Sequence, residues 1–142
     1  RRAVRTWRTD RPELTMDYAS VRTLHITCAG LSIVLFGARG LMQIGGIAWR
    51  RWRWLRFAPH LNDTVLLGAA IALAWLSGQY PLALPWLTAK VLGLLVYIVV
   101  GRIALRTDVS STTRLLAFAG ALASVGYIVG VAVTRSPTFG LL

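Results

Sequence analysis

The chain has 142 residues, of which 56% are hydrophobic and 15% charged. A soluble domain usually carries about 45–50% apolar and about 25% charged residues, so both values point away from water. Charge is lopsided: 16 Lys+Arg stand against 5 Asp+Glu, a net +11, and every cation except Lys90 is Arg. The length accommodates one domain. A pI near 11.6 would suggest nucleic acid for a soluble protein, but that reading requires the bases on a water-facing patch beside a separate core. Here they punctuate long apolar runs, and nucleic acid is set aside as a partner. One Cys excludes an internal disulfide, and two His with one Cys exclude a finger-type or Cys-rich metal site.

In chain order, an Arg-rich N-terminal extension, residues 1–15, holds five Arg against Asp10 and Glu13. With few apolar residues it should not order alone. A membrane domain, residues 16–142, follows, with apolar runs at about 18–45, 62–80, 86–105 and 115–133. Each is long enough, at about 1.5 Å per residue, to cross a hydrocarbon core of about 30 Å. A soluble all-α bundle would show a polar stripe on every helix, and Leu115 to Val133 has none. The expected fold is all-α: an integral membrane four-helix bundle. Asn62 and Asp63 are placed to cap the second helix, and Pro81 and Pro85 bracket an uncharged turn before the third. The first span lacks a small-residue cleavage pattern and three more spans follow it, so it is not a signal peptide.

The connection between the first two spans carries WRRWRWLRF, in which Trp49, Trp52 and Trp54 alternate with Arg50, Arg51, Arg53 and Arg56. Such rings and guanidiniums suit the headgroup layer, which makes this a lipid-interface segment facing anionic headgroups. Arg and aromatics also bind single-stranded nucleic acid, but a position between two spans favours the interface. Gly126 and Gly130 form a small-xxx-small pair suited to close helix packing within the bundle. Cys28 reads as a small core residue.

Polar residues inside a membrane are costly and are candidate functional groups. His25, Cys28, Ser32 and Arg39 share one face of the first helix, and Lys90, Gly93, Tyr97 and Gly101 one face of the third. If both faces look inward, His25 and Lys90 line the outer half of the bundle, with Gln79 and Tyr80 near its mouth and Tyr97 on the same face. This is a candidate ligand pocket; the alternative is a structural hydrogen bond from His25 to a neighbouring helix. At the other end, Arg39, His60, Asp63 and Arg102 fall at similar depth and form a structural polar cluster, read as an Arg39/Asp63/Arg102 ion network. Paired carboxylates, a Ser/His/Asp set and a phosphate-binding Gly loop are all missing from the sequence, which removes support for hydrolases and nucleotide enzymes.

Four separated stretches, MDYASVRTLHITCAG (Met16 to Gly30), APHLNDTVLL (Ala58 to Leu67), QYPLALPWLTAKVLGLLVYIVVG (Gln79 to Gly101) and YIVGVAVTRSP (Tyr127 to Pro137), occur in the order in which they resemble the SirB family of small bacterial inner-membrane proteins. The resemblance implies a bacterial inner-membrane, multi-pass protein from a family with a proposed role in up-regulating invasion genes and no established biochemical activity. Arg1 to Thr15 lies outside the family pattern, whose chains typically start near Met16, and reads as a processed extension or an unusual start. A shorter similarity, a His early in the first helix together with PWLTAK (Pro85 to Lys90), links the chain to HemJ-type protoporphyrinogen oxidases, membrane proteins associated with haem b. In that family an early His and a Lys in the matching helix are functional residues, which fall here on His25 and Lys90 alone. Haem b, or another anionic tetrapyrrole, is the cofactor this implies, with His25 as a candidate axial ligand.

Three functions follow as expectations. The first is a non-catalytic accessory or assembly subunit of a larger bacterial membrane complex, with other membrane subunits and anionic lipids as partners. The second is a haem b or porphyrin-binding membrane protein using His25 and Lys90, with redox activity as its extension. The third, a solute transporter, is weakest, because there is no repeat and no broken helix.

By the positive-inside rule the two Arg-rich connections, between spans one and two and between spans three and four, face the cytoplasm and both termini lie outside. The extension's own net +3 argues for the inverted topology, which stays open as the alternative. With single cysteines placed at Ser110 and Gln79, an impermeant thiol reagent added from outside should modify position 79 and spare position 110. Modification of position 110 would reverse the orientation.

Overall fold

A computed structural model describes residues 12–141, with side chains from Asp17 onward. The N-terminal extension lies outside the described residues except for its last four, which begin the first helix, so expectations about its docking fall outside them as well. The helices are α1 (Pro12–Ile44), α2 (Arg53–Ser77), α3 (Pro85–Ala104) and α4 (Ser111–Thr134). All four are long and apolar enough to cross a bilayer, and the all-α four-helix bundle read from the sequence is the fold found.

The largest departure from expectation is the start of α2. It begins at Arg53 rather than near Asn62, because Pro59 is accommodated inside the helix. Proline removes one backbone donor and normally ends or kinks a helix, whereas the expected start rested on Asn62 and Asp63 as caps. The WRRWRWLRF stretch is therefore a 3-10 turn, Trp49–Arg51, followed by the opening of α2. Asn62 and Asp63 sit about three turns inside the helix and cap nothing.

The ends of the remaining helices follow from local chemistry. Gly78 closes α2 in the left-handed conformation at φ 65°, which glycine adopts without a Cβ penalty. Pro85 occupies the first turn of α3, where its missing N–H leaves no bond unmade. Ser110 caps α4, its hydroxyl accepting from the Thr113 N–H at 3.1 Å. In the α3–α4 connection, Arg106 forms an ion pair with Asp108 and holds its carboxyl well below the usual range, at about 2. Beyond α4, the chain folds back so that Phe139 meets Tyr127 edge-on at 5.6 Å and lies against Gly130. Gly130 thus admits a terminal segment rather than a second helix, and Gly126 has nothing against it.

Helices α1 and α2 form one hairpin, α3 and α4 the other, and the hairpins meet along a shorter seam between α1 and α4. The seam is packed at the Arg-rich end. There Phe36 is buried with Ala104, Ala117, Phe118 and Ala121, its ring 5.3 Å from that of Tyr97 and 5.6 Å from that of Phe118. Small residues admit these rings: Gly101 faces Phe36 and Gly40 faces Phe118. Helices in lipid gain nothing from hiding apolar surface, so close packing through small residues has to supply the attraction. A second cluster, Leu35, Trp49 and Leu55 with Met42 and Leu105, extends the seam into the connections. Arg50 crosses it, donating from Nη2 to the Leu105 carbonyl at 2.5 Å.

A Cβ on Gly40 would lie 2.1 Å from the Phe118 ring, whereas nothing stands within 4 Å of a Cβ on Gly37. Overpacking of this kind costs about 1–3 kcal/mol. Gly40→Val is therefore expected to lower the unfolding midpoint in detergent, followed by circular dichroism, while Gly37→Val leaves it nearly unchanged; equal effects would remove the seam's special role.

Candidate functional site

The inward faces of α1, α2 and α3 carry polar groups in three layers. The first contains His25 and Lys90, as read from the sequence. His25 is half-buried and its Nδ1 is buried without a hydrogen-bond partner. The ring lies against the backbone of Leu66 on α2, and the Lys90 ammonium on α3 is within its electrostatic reach. Lys90 makes no hydrogen bond or ion pair among the described residues. The core clusters of the seam lie toward the other end, so this imidazole and this ammonium face each other where the hairpins are held least. Gln79 is half-buried and Tyr80 exposed in the adjoining turn.

The second layer ties α1 to α2 and was not legible as a unit. Asn62, buried on α2, donates from Nδ2 to the Cys28 carbonyl at 2.9 Å and to Ser32 Oγ at 2.8 Å. The Ser32 hydroxyl in turn donates to Asp63 Oδ1. The result is a continuous chain of hydrogen bonds from the α1 backbone to a carboxylate. An Asn within an apolar run was the available signal, and the expected cap obscured it. Cys28, buried beside this network, is a core residue as read. Tyr97 does not join His25 and Lys90: it packs on Phe36 and lies within electrostatic reach of Asp63 and Arg39, two turns farther along.

The third layer is at the Arg-rich end, where the expected Arg39/Asp63/Arg102 network does not form. Asp63 is taken by Ser32, Arg102 is exposed on α3, and Arg39 instead donates from Nε to the Leu35 carbonyl at 3.1 Å. The cause is the earlier start of α2, which carries Asp63 up to the level of Ser32. Arg39 and His60 do come together, lining a cavity of about 180 Å³ with Trp49, Arg50, Arg56 and Phe57. Trp49 is a second correction. It is buried, not lipid-facing, its Nε1 donating to Gln43 Oε1 at 2.6 Å, because the 3-10 turn folds its ring back over the end of α1. Trp52 and Trp54 are exposed, as are Arg50, Arg51, Arg53 and Arg56, in keeping with an interfacial segment.

The described residues hold no group of three or more His, Cys, Asp or Glu placed to bind a metal ion. What the first layer offers chemically is one imidazole nitrogen and one ammonium, a pair suited to an anionic ligand that also presents a Lewis acid.

Polar contacts between helices in lipid are worth about 0.6 kcal/mol on average and up to about 1.7. Asn62→Ala and Ser32→Ala are each expected to destabilise the α1–α2 hairpin by about that range. The double variant should lose less than the sum, because the two share one network; additive losses in denaturant titrations would separate them.

Comparison with known proteins is consistent across its length. Residues 18–137 match the family model described as "Invasion gene expression up-regulator, SirB". The chain is 38% identical over 129 residues to Protein SirB2 of Salmonella typhimurium, an alignment covering 88% of this chain and all of that protein. It is likewise 32% identical over 128 residues to Protein YchQ of Escherichia coli, covering 87% of this chain and 98% of the other. To a Haemophilus influenzae protein it is 39% identical over 77 residues, 54% of this chain and 58% of that one. No solved structure matches the chain.

Proposed function

The chain belongs to the SirB family, and from that premise we propose that it is a non-catalytic accessory or assembly subunit of a larger complex in the bacterial inner membrane. The observation that carries this reading is the outer face of α2. That helix packs on α1 and the adjoining 3-10 turn and leaves Leu61, Gly68, Ile71 and Trp75 uncovered. Nothing stands within 4 Å of a Cβ built on Gly68. Lipid-facing positions tolerate large apolar residues, whereas a glycine there lets another helix approach closely. The partner this suggests is a transmembrane helix of another subunit, with both Arg-rich connections on the cytoplasmic side and the Arg-rich extension adding a contact to a subunit or to anionic lipid.

A second reading keeps His25 and Lys90 as a ligand seat, and its support is the buried, unpartnered Nδ1 of His25. A haem b or related tetrapyrrole suits the pair in chemistry: the imidazole would hold iron and Lys90 would meet a propionate. Entry would require the hairpins to part at this loosely packed end, since the nitrogen is enclosed.

One preparation tests both. Solubilised in mild detergent, the full chain should run on native gels as a complex larger than its own mass. Gly68→Leu and deletion of Arg1 to Thr15 should each shrink that complex while helicity is retained. A complex unchanged by both variants would overturn the accessory reading. A Soret band in the same sample, lost in His25→Ala, is the result expected of the second reading; a colourless sample after growth with haem precursor removes it.

A further inference from the structure

The third polar layer holds a half-open cavity that neither reading uses. Arg39, Arg50, Arg56 and His60 line it together with Trp49 and Phe57, and among the described residues no carboxylate does. The acid within electrostatic reach of Arg39, Asp63, is engaged by Ser32. Three arginines therefore line one space without a counter-charge from the described residues in its wall.

These cations are positioned rather than merely clustered. The buried Trp49 ring holds two of them, the Arg39 guanidinium carbon lying 5.7 Å and that of Arg50 5.1 Å from its centroid. Cation–π attraction of this kind holds a guanidinium beside the ring. The Arg56 guanidinium sits 6.0 Å from the Phe57 ring. Among the described residues Arg39 spends only Nε, bonding Leu35, so of its five N–H donors the four on the Nη atoms remain for a ligand. A cavity needs about 10–15 Å³ to admit one water; at about 180 Å³ this one accepts a tetrahedral oxyanion with room to spare. Planar guanidiniums match phosphate oxygens in pairs. Exposed Trp52 and Trp54 on the same segment set the cavity at the depth of a headgroup layer.

We propose that this cavity is a phosphate-binding seat, in which Arg39, Arg50 and Arg56, with His60, take the phosphate group of an anionic lipid headgroup or of a free phosphate. The seat does not depend on either function proposed above.

The test is native mass spectrometry of the full chain in mild detergent, titrated separately with short-chain phosphatidylglycerol, short-chain phosphatidylcholine and inorganic phosphate. A charge-assisted hydrogen bond is worth about 1.5–3 kcal/mol, so Arg56→Gln and Arg39→Gln should each weaken binding by about tenfold or more. Arg53→Gln removes the same charge from the same helix without lining the cavity, and should stay within about twofold of the parent. Arg39→Lys, which keeps the charge and loses the planar fork, should resemble Arg39→Gln. Binding of phosphatidylglycerol without inorganic phosphate identifies a lipid headgroup as the source, and binding of both identifies the phosphate group itself; either supports the seat. Absence of binding by every probe overturns it, as does equal weakening by Arg53→Gln, which would mean diffuse attraction. Arg56 is exposed, so if Arg39→Gln fails to fold by circular dichroism, Arg56→Gln against Arg53→Gln decides the matter.

Discussion

The bundle depends on one ring. Phe36 passes from α1 between Tyr97 and Gly101 of α3 and meets Phe118 of α4, so a single side chain touches both members of the opposite hairpin. Phe118 in turn needs Gly40, one turn beyond Phe36, to come close against α1. In water such a cluster would be driven together by apolar burial, but lipid offers no such drive. The two hairpins are joined by shape, at the one level where rings and glycines match, and by the hydrogen bonds that Gln43 and Arg50 send across the connections to Arg106 and Leu105.

From that seam the placement of polar groups follows. Packing at the Arg-rich end leaves the opposite end of the interface less constrained, and His25 and Lys90 fall there. Between the two ends, the Asn62, Ser32 and Asp63 network holds α2 to α1 without help from the other hairpin. It satisfies an amide and a hydroxyl that would be expensive alone in hydrocarbon. The same network draws Asp63 away from the arginines. Arg39, left without its expected partner, turns to the Trp49 ring and to the cavity beside it, so the concentration of positive charge at this end is a consequence of how the α1–α2 hairpin satisfies its own polar atoms.

Much of this was legible beforehand. Long apolar runs announce helices because a membrane leaves the backbone no other way to satisfy its bonds, and the SirB motifs run through the same segments that form the four helices. Cys28 as a core residue and the inward grouping of His25 with Lys90 followed from helical periodicity. The failures share one origin. The polar pair Asn62–Asp63 looks like a helix start, and treating it so misplaced Asp63 by about three turns and exposed Trp49. Local propensity reports what a residue prefers in isolation; here α1 supplies Cys28 and Ser32 as partners, and the helix runs through.

Sequence alone determined the number of spans, the family and the concentration of arginines around two connections, because these depend on composition and spacing along one strand of chain. Tertiary structure decided which polar groups meet. The choice of Ser32 rather than Arg39 for Asp63, the burial of Trp49 and the convergence of three arginines on one cavity each depend on where α1 and α2 cross, a relation between segments about thirty residues apart that no periodicity encodes. The strong basic character seen at the outset is thereby resolved into exposed interfacial arginines and a few that the fold aims at a common space.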